Sequence, residues 1–319
     1  MAYPASAAER ARWILQRRGP KRALDPRRPY GAFLEREPDG RGGTASIATV
    51  LITNRECPWH CVMCDLWVNT LDETVPSGAI AEQVRWALEQ IGPARWIKLY
   101  NAGSFFDPRA IPPQERRALA PLLAGFERVI VECHPALVGE PVLELRDALP
   151  GRLEVALGLE TAHPAALERL EKHMSAEDFT RAARWLVAAQ VDVRAFLLVR
   201  PPFVPIGEAE AWLRRTLELA WDSGVRACTL IPTRGGNGAL EGLAAEGAFV
   251  PPRLAELERA VEGALAAARS LVFADTWDLE RFADCGACFE ARRTRLERMN
   301  RCQAPLPAPR CAACGPGGE

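Results

Sequence analysis

The sequence predicts an α/β fold, a partial (β/α)6 TIM-type barrel followed by a small cysteine-rich C-terminal lobe. Three observations carry this prediction. Short apolar runs alternate with longer stretches of helical period, no hairpin signal separates the runs, and the cysteines gather in two places. The strand candidates are SIATVLI (46–52), RWIKLYN (95–101), RVIVECH (128–134), LEVALGLE (153–160), DVRAFLLV (192–199) and RACTLIP (226–232). Helical stretches at 77–91, 113–125, 138–148, 164–189 and 207–223 lie between them, several opened by proline or a small polar residue. Strands that recur after a helix run parallel, and six of them curl toward a barrel whose chemistry belongs at the carboxyl ends of the strands. A further helix at 253–269 and the run LVFADTW precede the cysteine-rich tail. The expected organisation is a basic N-terminal extension over 1–44, the barrel over 45–270, and a metal-binding lobe over 271–319.

Composition bounds the rest. The chain has 319 residues, 48% of them hydrophobic and 25% charged, enough to bury a barrel-sized core. No stretch approaches the roughly 18 apolar residues of a membrane span, and the opening MAYPASAAERARW has no apolar signal segment. The expected location is the cytoplasm, away from membranes. Thiols stay reduced there, so ten cysteines in two clusters read as metal ligands before they read as disulfides. The net charge of −1 calls for no polyanionic partner. Arg10, Arg12, Arg17, Arg18, Lys21, Arg22, Arg27 and Arg28 at one end, and Arg292, Arg293, Arg295, Arg298 and Arg301 at the other, read equally as solvated charge and as a phosphate-binding surface.

The stretch ECPWHCVMCD places Cys57, Cys61 and Cys64 just after the first of these strands. A structural zinc site takes four protein ligands, often as two separated CxxC pairs, whereas this CxxxCxxC triplet leaves one corner over. A cubane iron–sulfur cluster has four iron corners, and three thiolates leave one open to a substrate or cosubstrate. The spacing, in this strand context, resembles the radical S-adenosylmethionine (SAM) superfamily. The resemblance implies a 4Fe-4S cluster that binds the amino and carboxylate groups of SAM at the open iron, and reductive cleavage of SAM to a radical that abstracts hydrogen from the substrate.

Further parts of that pattern fall at the expected strand ends. In KLYNAGSFFDP, residues Asn101, Gly103 and Ser104 occupy the turn that holds the SAM amino group in relatives. Gly158-Leu159-Glu160-Thr161 resembles the element whose carboxylate, here Glu160, faces the SAM ribose. The loop Pro232–Gly238 reads as a ligand-approaching or a merely flexible turn. Met63 stands where many relatives carry an aromatic residue. His134, beside Glu132, reads first as a hydrogen-bonded structural histidine and second as a proton-handling group, and Cys133 and Cys228 read as buried thiols.

The tail carries two CxxC pairs, Cys285 with Cys288 and Cys311 with Cys314, separated by 22 residues with Cys302 between them. Two such pairs close a tetrahedral site, so zinc is the first reading. An auxiliary iron–sulfur cluster competes, because five thiols exceed what zinc needs.

Taken together, NRECPWHCVMCDLW, KLYNAGSFFDPRAIP, VECHP, GLET and CGACFEARRTRLERMNRCQ are similar to the archaeosine-biosynthesis radical SAM branch, related to the radical SAM domain of the elongator catalytic subunit. That branch implies a carbon–nitrogen lyase acting on transfer RNA that bears a lysine-conjugated 7-deazaguanine, which it converts to the formamidine base. It also implies SAM, tRNA, a lysine-conjugating transferase and an electron donor such as ferredoxin or flavodoxin as partners. Two other readings remain: a radical SAM oxidoreductase or base-modifying enzyme with another substrate, and a non-catalytic iron–sulfur RNA-binding protein.

Overall fold

The structure, a computed structural model, describes residues 2–314. After helix α1 (Ala7–Leu15) the chain enters strand β1 (Gly31–Pro38), turns through 39–43 and returns antiparallel as β2 (Thr44–Ile52). From β2 onward each strand follows a helical connection. The order is α2 (Ala79–Ile91), β3 (Trp96–Asn101), α3 (Pro113–Leu123), β4 (Arg128–Cys133), α4 (Glu140–Ala148) and β5 (Arg152–Glu160). Then come α5 (Pro164–Arg169), α6 (Ala176–Ala188), β6 (Asp192–Val199), α7 (Ala209–Asp222) and β7 (Ala227–Pro232). Helices α8 (Ala239–Ala245) and α9 (Leu254–Ala267), strand β8 (Leu271–Ala274) and helix α10 (Phe289–Cys302) complete the chain. The strands form one sheet in sequential order β1 to β8, parallel throughout except for the β1–β2 pair. No helix among the described residues is long and apolar enough to cross a membrane.

The six expected strands are all present, and two more extend the sheet. β1 falls in the stretch read as an N-terminal extension. It escapes sequence reading because Glu35, Arg36 and Glu37 give it the look of a solvated segment, whereas Glu35 and Glu37 face the inside of the barrel. β8 is four residues long, and the neighbouring run LVFADTW carries it. The expected helix over 164–189 is broken into α5 and α6, with Glu171 and His173 at φ of 56° and 54° in the break.

Alternation along the strands divides the interior in two. Ile97 and Leu99 of β3, Val129 and Val131 of β4, Val155 and Leu157 of β5 and Val193 and Ala195 of β6 join one apolar cluster with Val84, Leu119, Leu145, Phe179, Leu217 and Val261 of the surrounding helices. The alternate residues near the strand starts face the other way and are ionic. Arg194, 2% exposed, donates from Nε to Glu154 at 2.8 Å and from Nη2 to Glu37 at 2.7 Å. Arg128 and Arg226 reach the second oxygen of Glu154 at 2.9 Å each, and Lys98 donates to Glu35 at 2.7 Å and also to Glu37. Burial opposes charge on Glu37 and Glu154, yet the cations beside them hold both carboxyls below the usual carboxylate range. The floor of the barrel is thus a closed layer of ion pairs.

At the far edge of the sheet, α10 packs against both β8 and β1. Asn300 accepts the Ala274 N–H at 2.7 Å and donates to its carbonyl at 2.9 Å, and Gln303 does the same for Val272 at 2.8 Å in each direction. Residues 315–319 of the tail lie outside the described residues.

Candidate functional site

The cysteine loop leaves β2 at its carboxyl end and is held on several sides before any ligand arrives. Glu56 N–H donates to Leu71 O and Leu71 N–H to Asn54 O, both at 2.9 Å, and Val62 N–H donates to Leu170 O at 3.0 Å. From the loop after β7, Asn237 donates through Nδ2 to Val62 O at 2.6 Å and to Cys64 O at 3.2 Å, while its Oδ1 caps the first amides of α8. The glycine-rich 232–238 loop therefore clamps the cysteine backbone. Met63 packs at the edge of an apolar cluster with Tyr3 and Phe203, around Trp13, Ile14 and Leu170.

Cys57, Cys61 and Cys64 are partly accessible at the mouth, and burial pushes each thiol up to about 12. Such thiols stay protonated until a metal cation replaces the proton. Lys172 opposes the shift at Cys57 and Cys61. Its ammonium donates to the Glu160 carboxylate, and although burial works against it, that pairing keeps the Lys172 pKa above its ordinary value. Sequence reading found Glu160 but missed Lys172, which lies in the α5–α6 break. Glu160 lies on the same side of β5 as Gly158, whose added Cβ would meet Glu160 Oε1, and has φ 65° where the β5–β6 register slips.

The turn after β3 comes up beside the first cysteine. Gly103 has φ 133°, and a Cβ there would stand 3.1 Å from Cys57 Cβ and 3.6 Å from Cys57 Sγ. Asn101, 1% exposed, has neither its side-chain oxygen nor its nitrogen bonded, and the Asn54 Oδ1 is likewise buried and unpaired. Buried amides are costly to leave unmatched, so these atoms mark where a polar ligand fits. Ser104 points elsewhere: its hydroxyl meets Cys133 Sγ at 3.4 Å and accepts from Phe106 N–H at 3.4 Å. Glu132, whose Oε2 accepts the Asn101 N–H at 3.3 Å, is raised to about 8 by burial.

His134 stacks on Trp59 of the cysteine loop, with ring centroids 3.8 Å apart and planes 18° from parallel. Its Nδ1 accepts the Ala136 N–H at 3.2 Å, which leaves Nε2–H to donate to Lys172 O at 2.8 Å. Burial and the nearby Lys172 charge lower its pKa to about 4. With both nitrogens engaged, this is a neutral histidine that ties three segments together. Three thiols, a glycine against the first of them and orphaned amides alongside fit a cluster with one open corner and a polar cosubstrate on it.

The tail forms a separate constellation. Cys285, Cys288, Cys311 and Cys314 place their sulfurs all within 4.8 Å of one another, while Cys302 is exposed with its Sγ 3.5 Å from Ala304 O. Of the two basic ends, much faces carboxylates. Arg18 and Lys21 pair with Glu56, Arg10 with Glu171, Arg27 and Arg28 with Glu82, and Arg292 and Arg295 with Glu258.

No family model matches the chain. Among curated proteins it is 32% identical over 154 residues to the archaeosine synthase subunit beta of Thermococcus kodakarensis, covering 45% of this chain and 47% of that protein. It is 26% identical over 189 residues to the archaeosine synthase subunit beta of Methanosarcina acetivorans, covering 56% and 55%. The chain spans about half the length of the curated relatives it matches. Among solved structures, it superposes on an Elp3 of the archaeon Methanocaldococcus infernus with TM-score 0.52 at 16% identity, covering 68% of this chain and 58% of that one. It superposes equally, at TM-score 0.52 and 10% identity, on Streptococcus suis SuiB bound to S-adenosylmethionine, covering 70% and 48%. The eight-stranded sheet curled into a partial barrel, the cysteine triplet and these likenesses agree: the chain shares its fold with Elp3 and SuiB and is similar in sequence to the archaeosine synthase beta subunits.

Proposed function

We propose that this protein is a radical SAM enzyme of tRNA modification, a carbon–nitrogen lyase that converts a lysine-conjugated 7-deazaguanine to the formamidine base. The observation that carries the reading is the approach of Gly103 to Cys57, which sets the turn after β3 against the three-thiol loop, with the unpaired amide of Asn101 two residues before that glycine. The names of the curated relatives support the substrate class, and SuiB bound to SAM supports the cosubstrate.

In this reading Cys57, Cys61 and Cys64 hold a 4Fe-4S cluster, which with SAM supplies one-electron hydrogen abstraction. The chain's own residues do the rest. The Asn101 amide and the Gly103 backbone receive the polar end of SAM, and Glu160 turns its carboxylate to the ribose. Lys172 offsets negative charge beside the thiolates. His134 fixes Trp59 and hence the angle of the cysteine loop. The Asn237 clamp keeps that loop in place while ligands exchange. Ser104 supports the turn through Cys133. The tail binds a metal ion in a structural role. The outer partners are tRNA, a transferase that makes the lysine conjugate, and a ferredoxin or flavodoxin donor.

The test is anaerobic reconstitution with iron and sulfide, then SAM and a strong reductant. The wild type yields 5'-deoxyadenosine, and Cys57→Ala, Cys61→Ala or Cys64→Ala each abolishes it along with the brown colour. Deoxyadenosine from the triple variant overturns the enzyme reading. Nucleoside analysis of tRNA from cells without the protein tests the substrate: accumulation of the lysine conjugate supports the lyase, and its absence points to another base.

A further inference from the structure

The four tail sulfurs are set for one ion. Cys285 and Cys311 are 3.9 Å apart, and Cys288 and Cys314 are 3.8 Å apart. A tetrahedral ion with metal–sulfur bonds of about 2.3 Å needs sulfur–sulfur edges of about 3.8 Å. A cubane would interpose a cube of iron and sulfide and hold its thiolates much farther apart. The spacing therefore favours a single thiophilic divalent cation and leaves no open corner for chemistry.

Such a site carries an electrostatic problem. One divalent ion with four thiolates has a net charge of −2, and Cys288 is only 5% exposed. Buried charge of this kind needs a matching donor. The donor is one turn into α10. Arg292, 8% exposed, directs Nε–H to Cys288 Sγ at 3.3 Å and Nη1–H to Glu258 of α9 at 2.6 Å. Arg295 donates to the other oxygen of Glu258 at 2.9 Å. Cys288 is also the N-cap residue of the 14-residue helix α10, so the positive end of that helix faces the same sulfur.

We propose that Arg292 is the outer-sphere partner of a single zinc-type cation held by Cys285, Cys288, Cys311 and Cys314, and that it links metal loading to the docking of α10 on α9. The inference rests on the reading that the tail binds a metal. It adds which kind of centre this is and which residue balances its charge. With the ion in place the Cys288 sulfur carries part of the site's negative charge, and the Arg292 Nε–H aimed at it balances that charge. That hydrogen bond in turn orients the guanidinium toward Glu258, so the ion, the two helices and the 311–314 segment are fastened together.

The experiment uses the full-length, cluster-reconstituted protein. Metal analysis of the wild type is expected to give about one zinc per chain beyond the cluster iron, and cobalt in its place should show the intense charge-transfer and visible bands of a tetrahedral four-sulfur site. In a competition titration against a chromophoric chelator, Arg292→Leu should lower zinc affinity about 10–100-fold, and Arg292→Lys, which keeps charge but loses the fork, should fall between. The cobalt spectrum of both variants should remain tetrahedral, and both should retain the iron content of the Cys57 cluster. Should Arg292→Leu fail to fold, the Lys variant and Glu258→Gln, which frees Arg292 from α9, provide the same comparison. Zinc affinity equal to wild type in the folded variants overturns the role of Arg292 while leaving the metal site standing. Roughly eight irons per chain and no zinc would overturn the metal reading itself in favour of a second cubane.

Discussion

The ammonium of Lys172 and the carboxylate of Glu160 form a buried pair at the barrel mouth, where the Lys172 charge favours the thiolates of Cys57 and Cys61 while the Glu160 charge opposes that of Cys61. The pair joins the end of β5 to the break between α5 and α6, so one contact sets both a ligand group and a counter-charge.

Glu160→Gln should weaken SAM binding about tenfold or more, the loss expected for one charge-assisted hydrogen bond, while iron content stays at the wild-type level. Equilibrium binding of SAM to the reconstituted variant measures this. Unchanged affinity would make Glu160 a partner of Lys172 alone.

Gly103→Ala should disturb the cluster without replacing a ligand residue. The new methyl meets Cys57 Cβ at 3.1 Å, and φ 133° is a conformation that an L side chain adopts only under strain. The expected cost is about 1–3 kcal/mol, with reduced iron retention after desalting. Full iron loading and an unaltered melting temperature would show that the turn yields freely.

The six parallel strands were legible because each is a compact apolar run between helical stretches, and the thiol triplet was legible because its spacing is local. Lys172 was hidden for a physical reason. The stretch from 164 to 189 reads as one helix, but Val62 N–H on Leu170 O, His134 on Lys172 O and the Ser175–Asp178 capping box that starts α6 open it into two. The ionic floor was hidden because Glu154, Arg194 and Lys98 are single charges within otherwise apolar runs, and their partners come from strands far apart in the chain. Asn237 was hidden because a glycine-rich loop reads as flexible whether or not one side chain anchors it.

Glu132 predicts a pH dependence with a definite sign. Its carboxyl, raised to about 8 by burial, keeps in the folded state a proton that the unfolded chain releases near the ordinary value. The folded state thus binds more protons across that window, and stability from this group falls as pH rises toward 8. The slope is at most about 1.4 kcal/mol per pH unit, reduced by water at the mouth. Relative to the wild type, Glu132→Gln should gain melting temperature progressively from pH 6 to 8. Parallel curves would show that Glu132 titrates normally.

Glu154→Gln should strike the barrel floor. Glu154 is fully buried and faces Arg128, Arg194 and Arg226, and removing its charge leaves three guanidinium groups short of a partner. The expected destabilisation is about 3–5 kcal/mol in chemical denaturation, with the cluster still able to form in the variant below its melting point. A loss under about 1 kcal/mol would mean that Glu37 and Asp192 suffice to balance the floor.

The side-chain amides of Asn300 and Gln303 lie along β8 as a further strand would, accepting and donating at alternate residues. An outermost strand with free backbone groups is a template on which other molecules can add. Here two side chains of α10 occupy that template, so the terminal helix acts as a stopper against intermolecular sheet growth. A chain that lost α10 would therefore show its defect first as turbidity that rises with protein concentration, while the barrel of each molecule was still folded.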